Sequence, residues 1–182
     1  MSLIRYALLS LLAREPLSGY DIKLQMNDRF APFWKAGSNQ VYPELSKMEK
    51  DKLVALAGVE QHTYRPARKI YEITEEGQLA LAQWTIQPKE VDKVRDDFLL
   101  KAYNSWMIPS EQMIERLEEI KAQHEERLVI YEQKISELTE QFKSSSTHDP
   151  MFSSIAVIQF GARYEQLYLD WCNELITKIK NS

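Results

Sequence analysis

Leu17-Ser18-Gly19-Tyr20-Asp21, then Ser38-Asn39-Gln40-Val41-Tyr42-Pro43-Glu44-Leu45, then Tyr64-Arg65-Pro66-Ala67-Arg68-Lys69 are the segments that decide the fold. Ser18 is a good N-cap, because its hydroxyl can accept a backbone N–H left open at the start of a helix over Tyr20 to Arg29. Ser38 or Asn39 does the same for a helix running to about Asp51. Val41, Leu45 and Met48 recur on one side of that helix, the spacing of a buried stripe, and Pro43 fits only its first turn. Leu53 to Ala57 and Lys69 to Ile73 alternate loosely, as strands do, and the residues between them form a basic turn. Two capped helices followed by a hairpin with cations at its tip predict a winged helix-turn-helix.

The flanking segments complete the unit. Leu3 to Ala13 reads as a first helix, with Leu8, Leu11 and Leu12 toward a core and Pro16 beyond its end. It is too short and too interrupted by Arg5 to be a signal peptide or a membrane span. Thr74 caps a fourth helix that ends before Pro88, and Glu75 and Glu76 complement its positive end. The predicted division is therefore a winged-helix domain over 1–87 and a helical domain over 88–182.

The second half changes character. Asp92 to Met107 and Glu111 to Gln141 read as helices, the latter spanning roughly 45 Å at the helical rise. Leu117, His124, Leu128, Tyr131, Ile135, Leu138 and Phe142 form a long stripe on it. A last helix, about Phe152 to Ile179, carries Val157, Phe160, Tyr164, Leu167, Trp171, Leu175 and Ile179. Long heptad-like stripes usually pair, so this half is expected to dimerise, whether or not its two long helices also form a hairpin within one chain. The fold class predicted is mainly α with a small β wing.

Charge divides along the same line. The chain carries a formal net charge of −4. Residues 1–87 hold eleven Lys/Arg against ten Asp/Glu, and residues 88–182 hold twelve against seventeen, so the acidic half should face away from a polyanion. Overall charge does not argue for nucleic acid; clustering does. Asn39, Gln40, Tyr42, Ser46 and Lys47 fall on or near the free face of the third helix, with Ser38 at its start as a further DNA-binding candidate, and there Asn and Gln can read base edges while Tyr and Ser reach phosphates. Arg65, Arg68 and Lys69 lie within five residues at the hairpin and suit a wing laid across phosphates.

Catalytic constellations are missing from the sequence. His62, His124 and His148 are far apart with no cysteine or carboxylate at metal spacing, so neither a metal nor any cofactor is expected. The single cysteine, Cys172, has no visible base, reads as a thiol at the edge of a core, and fits a reducing cytoplasm. No glycine-rich phosphate loop occurs among the five glycines; Gly161, inside the last helix, allows a close helix contact or leaves room for a ligand. Trp106 and Tyr164, with Arg163 nearby, could stack on and pair with a small aromatic acid between the two halves.

Ser18-Gly19-Tyr20-Asp21, Tyr42-Pro43-Glu44-Leu45, Tyr71-x-x-Thr74-x-x-Gly77 and Asp97-Phe98-Leu99-Leu100-Lys101 together resemble the PadR-type repressors, in particular the longer phenolic-acid-decarboxylase repressor subfamily. The resemblance implies a homodimeric winged-helix repressor that binds inverted-repeat operator DNA. It further implies release by a hydroxycinnamate such as p-coumarate or ferulate. By position it gives the DNA role to Asn39, Gln40, Tyr42 and the wing cations, and it offers no pocket motif to match. The related virulence-activator branch shares the layout without that ligand. A winged helix kept only for protein docking is the alternative from another class, and it would have no need of three clustered wing cations.

Overall fold

A computed structural model of the chain describes residues 2–30, 38–62, 65–89, 95–143 and 146–181; the side chains of residues 38, 61, 62, 65 and 66 fall outside that description. The chain divides into two compact units, Met1–Glu90 and Val91–Ser182.

The first unit comprises α1 (Leu3–Leu12), β1 (Leu17–Ser18), α2 (Gly19–Arg29), α3 (Val41–Lys50), β2 (Val54–His62), β3 (Arg65–Ile73) and α4 (Glu75–Thr85). The sheet order is β1-β3-β2, antiparallel throughout. Leu8, Leu9, Leu11 and Leu12 of α1 are all buried and meet Ile22 and Met26 of α2 and Val41, Leu45 and Met48 of α3. Trp84 of α4 lies flat on Tyr6, with ring centroids 4.5 Å apart, and extends that core. Ser18 and Asp21 form a reciprocal capping box: Asp21 N donates to Ser18 Oγ at 3.1 Å, and Ser18 N to Asp21 Oδ2 at 3.3 Å. Thr74 caps α4 through Gly77 N at 3.0 Å and donates its hydroxyl to Lys52 O at 2.7 Å. Gly77 must be glycine, since a Cβ there would stand 2.1 Å from the Leu53 carbonyl oxygen.

Two expectations for this unit change, and one strand is new. The wing is a longer paired ribbon, not two short strands around an eleven-residue turn. Its ladder runs from Val54↔Ile73 out to His62↔Arg65, with register shifts at Leu56/Gly58 and Glu60/His62. Backbone pairing satisfies an antiparallel ribbon whatever its side chains are, so Glu60-Gln61-His62 gives no strand signal in sequence. The two-residue β1 was also invisible, being defined only by its pairing of Leu17 with Tyr71 and Ser18 with Ile70. Finally, α3 is entered through a 3₁₀ turn, Ser38–Gln40. Its N-cap position is Gln40, which makes no side-chain capping bond, rather than Ser38 or Asn39.

The second unit holds α5 (Asp97–Tyr103), a 3₁₀ turn (Ser105–Met107), α6 (Ser110–Gln141) and α7 (Pro150–Lys180). The long α6 and α7 pack along each other around Met113, Leu117, Tyr168, Cys172 and Ile176. Helix α5 is shorter than the expected Asp92–Met107. Asp96 Oδ1 takes the N–H groups of Phe98 (2.8 Å) and Leu99 (3.2 Å) and so fixes its start; residues 92–94 lie outside the described residues. Gly161 accommodates Tyr131, since a Cβ there would lie 3.1 Å from the phenol ring. Cys172 is not at the core edge as expected but wholly buried, and burial pushes its thiol pKa up. The largest difference is on α7. The face buried within the chain is Ile158, Glu165, Tyr168, Leu169, Cys172 and Ile176, while the expected stripe residues Val157, Phe160, Tyr164 and Leu167 are exposed. The helix thus has a second apolar face. Among the described residues, no helix is long and apolar enough to cross a membrane.

Candidate nucleic-acid interface

Helix α3 is fixed from beneath and open above. Val41, Leu45 and Met48 are fully or almost fully buried, while Tyr42, Ser46 and Lys47 are exposed, as are Asn39 and Gln40 on the preceding turn. Glu44 is the charged exception on the buried side, 6% exposed. Its Oε1 accepts Arg5 Nε of α1 at 2.9 Å, and Arg5 Nη2 reaches Asp51 at the far end of α3 at 2.8 Å. Burial alone would lower the Arg5 pKa, but the hydrogen bond and charge of Glu44, with Asp51, raise it instead. One arginine therefore ties both ends of α3 to α1. Lys47 also leans toward Glu44, at 3.9 Å, while remaining two-thirds exposed.

The wing cations lie on β3, not on a free turn. Arg68 stands opposite Glu60 and Lys69 opposite Val59; Arg65 begins the strand, its side chain outside the described residues. Arg68 Cζ sits 4.9 Å from the ring centroid of Tyr20 in α2. Lys23, also in α2, holds Nζ 4.9 Å from the ring centroid of Tyr42 in α3. The structure therefore gathers α3 and the wing around the start of α2, through Tyr20 and Lys23. In the sequence Tyr20 marks the start of the helix that Ser18 caps and belongs to the Ser18-Gly19-Tyr20-Asp21 motif. The surplus of aromatic and basic residues over what a cap requires was the signal available.

The residues expected to hold a small acid all lie on the second unit. Trp106 is 77% exposed on its 3₁₀ turn, and Arg163 is exposed on α7. Tyr164 belongs to a ring cluster with His124 and Tyr168, the last stacked on His124 at 4.0 Å. The same rings join a partly buried polar network that sequence spacing did not reveal. His124 Nδ1 hydrogen-bonds Glu165, Arg127 Nε reaches the same carboxylate at 3.2 Å, and the Tyr168 hydroxyl donates to Asp96. Burial, then the charges of Asp96 and Glu165, raise the Tyr164 pKa. No group of three or more His, Cys, Asp or Glu among the described residues is placed to hold a metal.

Comparison with known proteins bears on both units. The sequence profile described as the transcriptional regulator PadR-like family matches residues 8–83, and that described as virulence activator alpha C-term matches residues 94–180. The negative transcriptional regulator PadR of Bacillus subtilis (strain 168) is 26% identical over 180 residues, 98% of each chain. The chain belongs to the PadR family of transcriptional regulators. Among solved structures, B. subtilis PadR in complex with operator DNA superposes with a TM-score of 0.89 at 24% identity, covering 98% of this chain and 99% of that one. B. subtilis PadR in complex with p-coumaric acid gives 0.83 at 25% identity, covering 97% and 95%. This PadR-family member is thus a DNA-binding transcriptional regulator and not an enzyme. Its fold is mostly helical, an N-terminal winged helix-turn-helix with a three-stranded antiparallel wing followed by a helical domain.

Proposed function

We propose that the chain is a cytoplasmic, homodimeric repressor that reads an inverted-repeat operator with α3 and the wing. The observation that carries this reading is the polar outer face of α3, anchored by Val41, Leu45 and Met48 and flanked by the cations of β3. In this reading Asn39 and Gln40 reach base edges, Ser38, Tyr42 and Lys47 meet the backbone, and Arg65, Arg68 and Lys69 lie along phosphates. The exposed face of α7, Val157, Phe160, Tyr164 and Leu167, supports pairing through the helical unit. Two-fold pairing would set half-sites about 34 Å apart, or a multiple of that.

The test is fluorescence anisotropy on labelled duplexes at two salt concentrations. Replacing Arg65, Arg68 and Lys69 with Ala is expected to weaken binding to all sequences and flatten the salt dependence, because fewer counterions are released. Gln40→Ala is expected to relax base preference, at about 1–3 kcal/mol on the cognate site. Unchanged affinity and slope in the triple variant would overturn the wing assignment.

We further propose that a phenolic acid such as p-coumarate or ferulate releases the operator, a reading supported by the p-coumaric acid complex of the B. subtilis relative. Trp106, Arg163 and Tyr164 are the proposed contacts, an aromatic face and a cation for ring and carboxylate. Linkage requires operator DNA to weaken ligand binding by the same factor, typically about 5–150-fold. Titration of p-coumarate at millimolar concentration, with no change in tryptophan fluorescence or in the operator isotherm, would reject it. Regulation without a small-molecule effector is the second reading, favoured by the virulence-activator match over residues 94–180.

A further inference from the structure

The Ser18-Gly19-Tyr20-Asp21 segment does more than start a helix. Tyr20 is 49% exposed and Tyr42 is 51% exposed, so neither ring is needed to fill the core. Each instead meets a cation: Arg68 over Tyr20 and Lys23 over Tyr42, both at 4.9 Å from the ring centroid. Gly19 makes the second pairing possible. A Cβ at that position would stand 2.5 Å from Cε1 of Tyr42, so the absence of a side chain lets the α3 tyrosine lie against the first turn of α2. One end of α2 thus touches the wing through Tyr20 and the reading helix through Tyr42.

We propose that Tyr20 and Lys23 of α2 belong to the DNA interface. Lys23 pairs with a backbone phosphate beside the groove that α3 enters. Tyr20 positions Arg68, so that the wing meets phosphates in a fixed register with α3. The proposal rests on the DNA-binding reading above. The chemistry follows from the geometry. A guanidinium stacked on an aromatic face keeps its N–H edge free for phosphate oxygens, and a side chain already held over a ring loses less rotamer freedom when it binds. A lysine over an exposed tyrosine places its ammonium beside α3, close to where a duplex backbone would run.

The experiment uses the full chain, a labelled random-sequence duplex, and a duplex selected from a random pool by the unsubstituted protein. Affinity is read by anisotropy at about 50 and 200 mM salt. Lys23→Ala is expected to weaken binding to both duplexes about three- to tenfold and to reduce the log–log salt slope by about 0.9 per protomer, the share of one phosphate. Tyr20→Ala is expected to weaken binding, Tyr20→Phe to restore it, and Tyr20→Ala to add nothing in an Arg68→Ala background. Three results would each overturn the proposal: an unchanged salt slope in Lys23→Ala, a Tyr20→Phe variant as weak as Tyr20→Ala, or full additivity of Tyr20→Ala with Arg68→Ala. If the unsubstituted protein binds neither duplex, the DNA reading itself fails; if it binds and the variants match it, only the α2 assignment fails.

Discussion

The two units differ in what they leave uncovered. The winged-helix unit closes its core with four leucines of α1, the stripes of α2 and α3 and the Tyr6–Trp84 stack, and exposes polar and cationic groups beside α3. The helical unit closes a thinner core around Leu117 and Cys172 and exposes apolar rows: Leu100, Tyr103, Trp106 and Met107 near α5, and Val157, Phe160 and Leu167 on α7. Large exposed apolar patches mark surfaces that become buried elsewhere. The first unit thus presents a polar and cationic surface, and the second an apolar one. The difference also explains how residues of similar hydrophobicity serve different ends. On α3 one apolar face suffices, whereas α7 has two and only one is used within the chain.

The sharpest way to break this comparison is to charge the unused face of α7. The double variant Phe160→Lys with Leu167→Lys removes apolar surface that is already exposed in one chain, so each protomer should fold. Light scattering at micromolar concentration is expected to report a monomer. Operator affinity is expected to fall about 10²–10⁴-fold, because the second half-site no longer gains effective concentration. A dimer that survives both charges would mean that the α7 face serves another purpose.

Core truncations ask whether the units stand independently. Leu45→Ala and Leu117→Ala each delete an almost wholly buried side chain, at a cost of about 2–5 kcal/mol. Calorimetry is expected to show each change lowering the transition of its own unit first. Equal shifts of one shared transition would erase the distinction drawn between them.

The buried carboxylates give a subtler contrast. Glu44 depends mainly on Arg5, with Lys47 more distant, whereas Glu165 is held by both His124 and Arg127. Arg5→Leu leaves Glu44 buried with a weak partner and is expected to cost about 1–3 kcal/mol. It should also weaken DNA binding, since α3 loses its tie to α1. Arg127→Ala, at a half-exposed position, leaves Glu165 its histidine and is expected to cost under about 1 kcal/mol. Chemical denaturation of the two variants checks the order, and the reverse order would contradict the partner assignments.

How much of this was legible follows from the range of each interaction. Helices α1, α2, α4, α6 and α7 announced themselves because apolar spacing and caps are local. Asn39, Gln40, Tyr42 and Lys47 were legible as a free face, because Val41, Leu45 and Met48 define the opposite one. The pairing of Leu17 with Tyr71, the Arg5–Glu44 tie and the His124–Glu165 contact join residues far apart in the chain, and nothing in either segment alone predicts its partner. The wing's outer half was hidden for another reason. Its strands are held by backbone pairing, about which side-chain alternation carries little information. The α7 stripe is apolar in sequence, but periodicity cannot say whether such a face is covered by its own chain or by another.

The most local contrast concerns how the two units begin their helices. In the first unit Thr74 both caps α4 and, through its hydroxyl, holds the carbonyl of Lys52, a residue with φ of 60°. In the second, Asp149 caps α7 through Met151 N at 2.8 Å, at the start of a 31-residue helix packed on α6. Removing a cap costs typically about 1 kcal/mol. Thr74→Ala should reach or exceed that figure, because it also releases the carbonyl that stabilises a left-handed turn between α3 and β2. Asp149→Ala should stay at or below it, since packing along α6 retains the rest of α7 when its first turn frays. Thr74→Ser, which keeps the hydroxyl, is expected to recover most of the loss. Hydrogen exchange at Gly77 and Met151 distinguishes the cases: protection at Gly77 should fall in Thr74→Ala and return in Thr74→Ser. If Thr74→Ser is as unstable as Thr74→Ala, the hydroxyl is not what joins the wing to α4.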